Sequence, residues 1–371
     1  MPHDGFSQRR AILSALAYLA AAGACGGGKP RNLPPPEGGR FRLDLVLPTA
    51  NMLALVPVAI AGSGAVAGYL AEEEWGAFAE AVRVESGLVT ALSASLQLKS
   101  FAMSISAQGS TVTGELGWQP HAWTAAGAHV LQVPAGYFSG RALAVNAAGR
   151  IVGSWADYDD PIPPNPLGAR PCTWASVTAG VQPLTTIDAN HPLGSAFDIN
   201  DAGVIVGTVE TDAGFTASRW SSAAAAVEIF AHLPSGLLSE ARAVNNVGEA
   251  VGRTGFESGE SRAFILRAGS SMLERLPSLT APNPHAEALD INDAGIVVGH
   301  STAANVQRHA VMWHEGEVVD LNSRIDNPDP RIAYLDNAVA IASTGMIAAL
   351  ARLSPSQAPR SLALALLTPV G

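Results

Sequence analysis

Cysteine is scarce in this chain of 371 residues, and basic residues are outnumbered by acidic ones. The two cysteines, Cys25 and Cys172, cannot form the disulfide framework that stabilises small secreted domains. Cys172 lies in an apolar, strand-like run, which favours a buried thiol over a reactive one. Lysine and arginine total 22 against 32 aspartates and glutamates. The chain therefore lacks the basic footprint of a nucleic-acid-binding protein.

Recognisable catalytic motifs are also missing. The sequence contains no GxSxG, no HExxH and no glycine-rich loop ending in GK[ST]. Its nine histidines are scattered, with no close pair at metal-ligand spacing. The sequence therefore implies no cofactor, no metal and no catalytic residue. Catalysis by a pair of carboxylates depends on their distance in space, which the sequence does not give, so an enzymatic function stays an open alternative.

The first 24 residues have the pattern of a signal peptide. Arg9 and Arg10 precede an apolar run, residues 11–24, that is too short to span a bilayer. The small residues before Cys25 resemble the bacterial lipobox, which implies that Cys25 is lipidated and becomes the mature N-terminus. Plain secretion and a buried N-terminal helix are the alternatives. Without residues 1–24 the chain has 20 basic and 31 acidic residues, a net charge of −11.

Glycine and proline dominate residues 25–40, which predicts a tether that is flexible and then stiff.

The nearly uncharged run at residues 52–70 has the length of a transmembrane helix. It contains Pro57 and three glycines, however, and it fits the repeat described next. Two strands and a turn are therefore the better interpretation.

A short motif recurs along the rest of the chain, most clearly as DINDAGVIVG at residues 198–207 and DINDAGIVVG at residues 290–299. In each of seven copies a β-branched residue precedes an anchor position, and a glycine follows the anchor by three residues. This pattern predicts two short strands around a tight turn that ends at positive φ, where glycine is unstrained. A second glycine ends the next strand in five copies, is shifted by one at Gly114, and is replaced by Ala349 in the last copy. The anchors are Ala61, Ser106, Asn146, Asn200, Asn245, Asn292 and Ala342.

The Asp and Asn residues of the motif also suggest a calcium-binding loop. Asp198, Asn200 and Gly203 fit the spacing of an EF-hand loop. Ala202 breaks the alternation of oxygen ligands, and Val209 stands where the glutamate belongs. Turn formation by Asx residues therefore explains the motif better than calcium does.

A third and a fourth strand follow in each copy, for example residues 309–313 and 318–321. Four strands in a period of 40 to 54 residues indicate propeller blades. The Trp and Leu residues that end the third strands are interpreted as packing between blades. The last copy has no room for a fourth strand, and residues 41–47, which alternate apolar and polar, are expected to supply it. The prediction is all-β: a seven-bladed β-propeller of four-stranded antiparallel blades, closed by an N-terminal strand, as a single domain over residues 41–371.

The strand pair followed by a His-Ala-aromatic strand resembles the HAF family of bacterial extracellular repeats. Its versions here begin at His121, Arg262 and His309. The resemblance covers about residues 55–368 and is strongest between Asn146 and Trp313. It implies export and a repeat fold, and it brings no catalytic residues.

Function is expected at the end of the blades that carries the longer connections, because long loops on a rigid scaffold commonly bind ligands. We expect that end to be acidic and aromatic and to suit a sugar or a cationic partner. Three functions are considered: a monomeric binding scaffold in the cell envelope for a glycan or an envelope protein, a carbohydrate-active hydrolase or lyase, and a purely structural lipoprotein. The candidate ligand-binding residues are Trp75, Trp118, Trp155, Asp157, Tyr158, Asp159, Tyr137, His191 and Tyr334.

Overall fold

The computed structural model describes residues 40–49, 52–72, 79–93, 98–156, 169–279 and 285–370. The predicted signal peptide and Cys25 lie outside the described residues, as do Trp75, Asp157, Tyr158 and Asp159. The described chain consists of β-strands and tight turns, with short 3-10 segments at Leu321–Arg324 and Pro355–Gln357. None of its helical segments has the length and apolar character needed to cross a membrane.

The strands are named in chain order. The first half of the chain holds β1 (Phe41–Val46), β2 (Ala54–Ile60), β3 (Val66–Ala71), β4 (Ala79–Glu85), β5 (Leu88–Ala91), β6 (Ser100–Ile105), β7 (Val112–Leu116), β8 (Gln119–Thr124), β9 (Gly127–Val130), β10 (Ser139–Val145), β11 (Ile151–Ala156), β12 (Ala169–Trp174) and β13 (Val181–Pro183). The second half holds β14 (Gly194–Ile199), β15 (Ile205–Thr211), β16 (Gly214–Trp220), β17 (Glu228–Ile229), β18 (Leu238–Val244), β19 (Ala250–Gly255), β20 (Ser261–Leu266), β21 (Leu273–Arg275), β22 (Ala286–Ile291), β23 (Val297–Thr302), β24 (Arg308–His314), β25 (Glu317–Asp320), β26 (Ile325–Asp326), β27 (Ile332–Ile341), β28 (Ile347–Leu353) and β29 (Leu362–Pro369).

Five separate sheets each contain four consecutive strands: β6–β9, β10–β13, β14–β17, β18–β21 and β22–β25. The remaining strands belong to one nine-stranded sheet. Within it β2–β5 form one antiparallel group of four, and β27, β28, β29 and β1 form another. We call the groups units 1 to 7 in the order of the sequence repeats. The predicted meander of four antiparallel strands is confirmed, and the uncharged run at residues 52–70 is two strands, as expected.

The N-terminal strand completes the last unit. β1 pairs antiparallel with β29 along its whole length, from Phe41 opposite Pro369 to Val46 opposite Leu364. Phe41 is buried against Leu321 and Leu367, with Leu43 and Leu45 packed on the same cluster. The period-2 pattern of residues 41–47 thus predicted both the strand and its apolar face.

The first strand of each unit lies on the inner side. Successive first strands contact one another from β2 to β27, and β2 also contacts β27. Each of them carries a β-bulge, which places one extra residue against its partner strand. The bulge residues Val58, Met103, Leu143 and Phe197 belong to one apolar cluster although they come from four units. The inner strands therefore meet through packed side chains.

The second glycine of the motif has a steric reason. A Cβ atom on Gly153 would lie 1.9 Å from the carbonyl oxygen of Arg141, and one on Gly207 would lie 2.0 Å from that of Ser195. The bulge brings the two backbones this close. Gly114 is not displaced in the fold, because it pairs with Ala102 just as Gly153 pairs with Ala142. The extra residue in its unit is absorbed by the turn.

The tryptophans that end the third strands pack between units, as predicted. Trp174, Trp220 and Trp313 are almost fully buried. Each indole N–H also donates a hydrogen bond to the chain leaving the preceding unit, to the carbonyl oxygens of Gln132, Thr185 and Pro277 at 2.7, 2.8 and 2.6 Å.

Candidate functional site

Each unit has two ends that differ in chemistry. The turn end carries the turn between the first and second strands. The link end carries the connection between the second and third strands and the links between units. Because first strands start at the link end and second strands finish there, residues at these termini share one face of the molecule.

The asparagines of the motif form a belt around the turn end. The side-chain amide of Asn146 donates to the backbone oxygen of Asn200 at 3.1 Å, Asn200 donates to Asn245 at 3.0 Å, and Asn245 donates to Asn292 at 3.1 Å. The side-chain oxygen of each asparagine accepts the N–H four residues later in its own turn, as between Asn200 and Val204 at 2.9 Å. One side chain thus closes a turn and joins two units, and we call this set the asparagine belt.

The side chains after Asn200, Asn245 and Asn292 add a second layer of hydrogen bonds. The carboxylate of Asp201 accepts the N–H of Ala147 at 2.8 Å, and Asp293 accepts that of Asn246 at 2.8 Å. Asp198 is fully buried and accepts the N–H groups of Ile199 and Val244, both at 2.8 Å. The predicted turn is confirmed, with Gly203 at a φ of +85°. The acidic groups of the motif are engaged in joining units.

An exposed aromatic group lies at the link end between units 2 and 3. Trp118 is 47% exposed and Phe138 is 78% exposed. The backbone oxygen of Trp118 accepts the N–H of Gly140 at 2.9 Å, which ties the two connections together. We call Trp118, Tyr137 and Phe138 the aromatic rim.

The sequence predicted that Trp155 lies in a loop, and this prediction was wrong. It lies within β11, is only 6% exposed, and packs edge-on against Tyr137 with ring centres 6.2 Å apart. The strand β11 continues three residues beyond Gly153, because β12 pairs with it as far as Ala156. Trp155 therefore supports the rim from beneath.

The other predicted residues lie apart from the rim. His191 bridges Asp188 and Asp212, with nitrogen–oxygen distances of 3.0 and 3.1 Å, in the link and loop of unit 4. The hydrogen bond that His191 donates to the carboxylate of Asp188 raises the pKa of His191. Tyr334 lies in unit 7 and stacks on His309 with ring centres 5.8 Å apart.

A network of buried charges lies near the inner strands of units 5 to 7 at the link end. Glu240 contacts Arg242 at 2.7 Å and Arg253 at 2.8 Å, and Arg253 also reaches Glu287 at 2.9 Å. In unit 7, Asp336 contacts both Arg308 at 2.6 Å and Arg352 at 3.1 Å. We call this network the charged floor; it consists of Glu240, Arg242, Arg253, Glu287, Arg308, Asp336 and Arg352.

The arginines keep these acids ionised. Burial alone would raise the pKa of Glu240, but Arg242 and Arg253 hold it below its usual value. The pKa of Glu287 is likewise well below normal, because Arg253 outweighs burial. Asp336 also has a lowered pKa, since Arg308 and Arg352 overcome its burial. This buried network is not predominantly acidic, because four arginines face three carboxylates.

Two histidines adjoin the floor, and sequence reasoning missed their proximity. The rings of His285 and His300 lie 5.9 Å apart. Burial and the nearby Arg308 lower the pKa of His300 to about 3, and burial lowers that of His285. Both imidazoles are therefore neutral at pH 7. A signal was present: His300 directly follows the second glycine, the same repeat position that holds Arg253 one unit earlier.

No family model and no curated protein matches the chain. Solved structures are similar in fold. A streptogramin B lyase matches with a TM-score of 0.56 at 10% identity, covering 89% of this chain and 98% of that one. The β-propeller domain of the Trilobed protease from Pyrococcus furiosus matches with a TM-score of 0.51 at 10% identity, covering 86% and 94%. YCF48 bound to a D1 peptide matches with a TM-score of 0.53 at 12% identity, covering 95% and 98%. The chain therefore has a β-propeller fold.

Proposed function

We propose that the protein is a non-enzymatic binding scaffold of the cell envelope that holds its ligand at the link end. The observation that carries this proposal is the charged floor. Arginines hold its carboxylates in place, and the carboxylates hold the arginines in turn, so the network is ordered before a ligand binds. Preorganised polar groups lose little conformational entropy on binding. The aromatic rim adds exposed flat surface of the kind enriched at binding sites.

The ligand class that suits both features is a glycan. A sugar ring presents an apolar face to an aromatic side chain and hydroxyl or carboxylate oxygens to arginine N–H donors. An extended envelope-protein segment is the competing ligand. The similar structures include proteins named as a lyase and as a peptide-bound protein, so they favour neither class.

The carbohydrate-active alternative has one observation in its favour. Glu240 and Glu287 both contact Arg253, and His285 and His300 lie beside Glu287, which is a carboxylate pair with basic partners. A general acid at neutral pH needs a raised pKa, however. The pKa values of both glutamates are lowered, so binding is the better-supported function.

The proposed location rests on the sequence. The signal peptide, the lipobox-like segment at Cys25, the tether and the resemblance to HAF repeats all favour an exported lipoprotein. Metabolic labelling with a radioactive fatty acid should tag the wild type and leave Cys25→Ser untagged. Equal labelling of the two proteins would exclude the anchor.

A binding screen tests the function. Purified protein is probed against an array of envelope glycans and against envelope-protein peptides. A glycan hit should weaken at least about tenfold in the double variant Trp118→Ala/Phe138→Ala, because exposed aromatics dominate such contacts. Val247→Ala is the matched control, since Val247 is 58% exposed at the turn end. If peptides bind and glycans do not, the ligand is an envelope-protein segment and not a glycan. If a glycan is cleaved, the protein is an enzyme and not a binding scaffold.

A further inference from the structure

Three potential metal ligands converge beside the charged floor. His285, Glu287 and His300 each offer one ligand atom, and these atoms all lie within 4.8 Å of one another. Glu287 and His300 are direct partners across β22 and β23. The carbonyl of His285 accepts the N–H of Thr302 at 2.8 Å, which extends the same pairing by one step. The backbone therefore fixes all three positions.

Two imidazoles and one carboxylate are side chains that zinc sites in proteins use as ligands. His300 is 4% exposed, and its Nδ1 atom has no hydrogen-bond partner among the described residues. A buried nitrogen without a partner costs free energy unless something binds it. This atom is the second observation that points to a ligand.

We propose that His285, Glu287 and His300 bind one divalent transition-metal ion of the zinc class through two imidazole nitrogens and one carboxylate oxygen. Two nitrogen ligands favour zinc-class ions over Mg²⁺ and Ca²⁺, which take oxygen ligands. Three protein ligands also leave a coordination position open, as in zinc sites that take an exogenous ligand. The site shares Glu287 with the charged floor and lies outside the aromatic rim, so Zn²⁺ binding can be measured without any glycan.

Neighbouring groups already orient the ligands. Arg253 holds one oxygen of Glu287 at 2.9 Å, and the hydroxyl of Ser261 donates to the same oxygen at 3.1 Å. Neither contact uses the other oxygen of Glu287, which would bind the ion. The backbone N–H of Ser261 donates to Nδ1 of His285 at 3.0 Å, so this nitrogen is the unprotonated one. An ion bound to this lone pair displaces the Ser261 contact.

The arginines make the site selective. Arg253 contacts Glu287 at 2.9 Å, and the positive charge of Arg308 acts on His300. Both guanidinium groups repel a cation that is bound by electrostatic attraction alone. Only an ion that forms strong bonds to nitrogen overcomes them, so we expect Zn²⁺ to bind and Mg²⁺ and Ca²⁺ not to bind.

Calorimetric titration of the chelator-treated, full-length protein with Zn²⁺ tests the proposal. One high-affinity site is expected, confirmed by mass spectrometry under native conditions as one ion per chain. His300→Ala and Glu287→Gln should each weaken that site by more than about tenfold. Titration with Mg²⁺ should give no heat of binding.

His191→Ala is the matched control, because His191 and its two aspartates form a more exposed cluster that a metal ion could also reach. It should leave the affinity unchanged. If His300→Ala does not fold, His285→Ala decides the matter, since His285 is only half-buried. Unchanged affinity in folded His285→Ala, or loss of the site in His191→Ala, would overturn the assignment. Absence of Zn²⁺ binding to the folded wild type would overturn it as well.

Discussion

The turn end and the link end of the same units have opposite designs. At the turn end the residues are repeated, and their polar groups are used by the fold, as in the bonds from Asn200 to Asn245 and from Asn245 to Asn292. At the link end the equivalent positions differ from unit to unit. The position of Glu240 holds Arg141 in unit 3, Ser195 in unit 4 and Glu287 in unit 6. The repeated residues of the turn end therefore belong to the scaffold, and the residues that vary at the link end can give this end its own binding specificity.

The sharpest test of the scaffold is removal of its joining strand. Deletion of residues 41–48 should lower the melting temperature more than any single substitution. It exposes the edge of β29 and removes Phe41, which is 2% exposed, from its cluster. Closure of the units into one seven-bladed ring by this strand is the prediction under test. A shortened protein as stable as the parent in thermal unfolding would contradict it.

The two kinds of glycine should differ strongly. Gly153→Ala places a methyl group 1.9 Å from a backbone oxygen, so it should cost about 3 kcal/mol or more. Gly149→Ala, in the turn of the same unit, adds a methyl group that has no atom within 4 Å. Its only cost is that alanine must adopt a positive φ. Its cost should be about 1 to 2 kcal/mol. Urea unfolding of the two variants measures the difference, and equal losses would show that the bulge does not control this position.

The asparagine belt should contribute measurably. Asn245→Ala removes three hydrogen bonds: to the backbone oxygen of Asn292 at 3.1 Å, to the carboxylate of Glu249 at 3.1 Å, and from the backbone N–H of Glu249 at 2.9 Å. It also leaves the buried carbonyl of Asn292 without this donor. We expect a loss of about 2 kcal/mol. Asn305→Ala, an exposed asparagine at the link end, is the matched control and should stay within about 0.5 kcal/mol. Equal effects would mean that the belt does not hold units together.

These contacts show what could and could not be predicted from the sequence. The units, the strands, the joining strand and the inter-unit tryptophans follow from local patterns, since alternation and turn glycines act within a few residues. The turn role of Asn200 was predicted, but its bond to Asn245 was not, because that bond depends on where the next unit lies. The pairing of Glu287 with His300 could have been found by comparing the same two repeat positions in every unit.

The link end should make stability depend on pH between about 3 and 6.5. The pKa of His300 is about 3 in the folded state and near 6.5 in the unfolded state, so the unfolded chain binds the extra proton in this window. The free energy of unfolding should therefore fall as the pH falls, by up to about 1.4 kcal/mol per unit. His300→Gln should flatten this slope in urea unfolding.

His191→Gln is the control of opposite sign. Asp188 raises the pKa of His191, so its contribution is present at low pH and is lost as the pH rises. Its replacement should leave the slope unchanged or slightly steeper. If the slope persists in His300→Gln and disappears in His191→Gln, then His191 and not His300 causes the pH dependence, and the prediction is wrong.

The smallest effect on stability should come from the exposed residues of the two ends. Trp118→Ala at the link end and Val247→Ala at the turn end should each change the free energy of unfolding by less than about 0.5 kcal/mol, because both side chains are about half exposed. Their effects on binding should differ, since only Trp118 lies in the aromatic rim. Any ligand found in the screen should therefore lose affinity in Trp118→Ala and keep it in Val247→Ala, with melting curves showing that both variants are folded. A ligand that depends on Val247 instead would place recognition at the turn end and reverse the division of roles between the two ends.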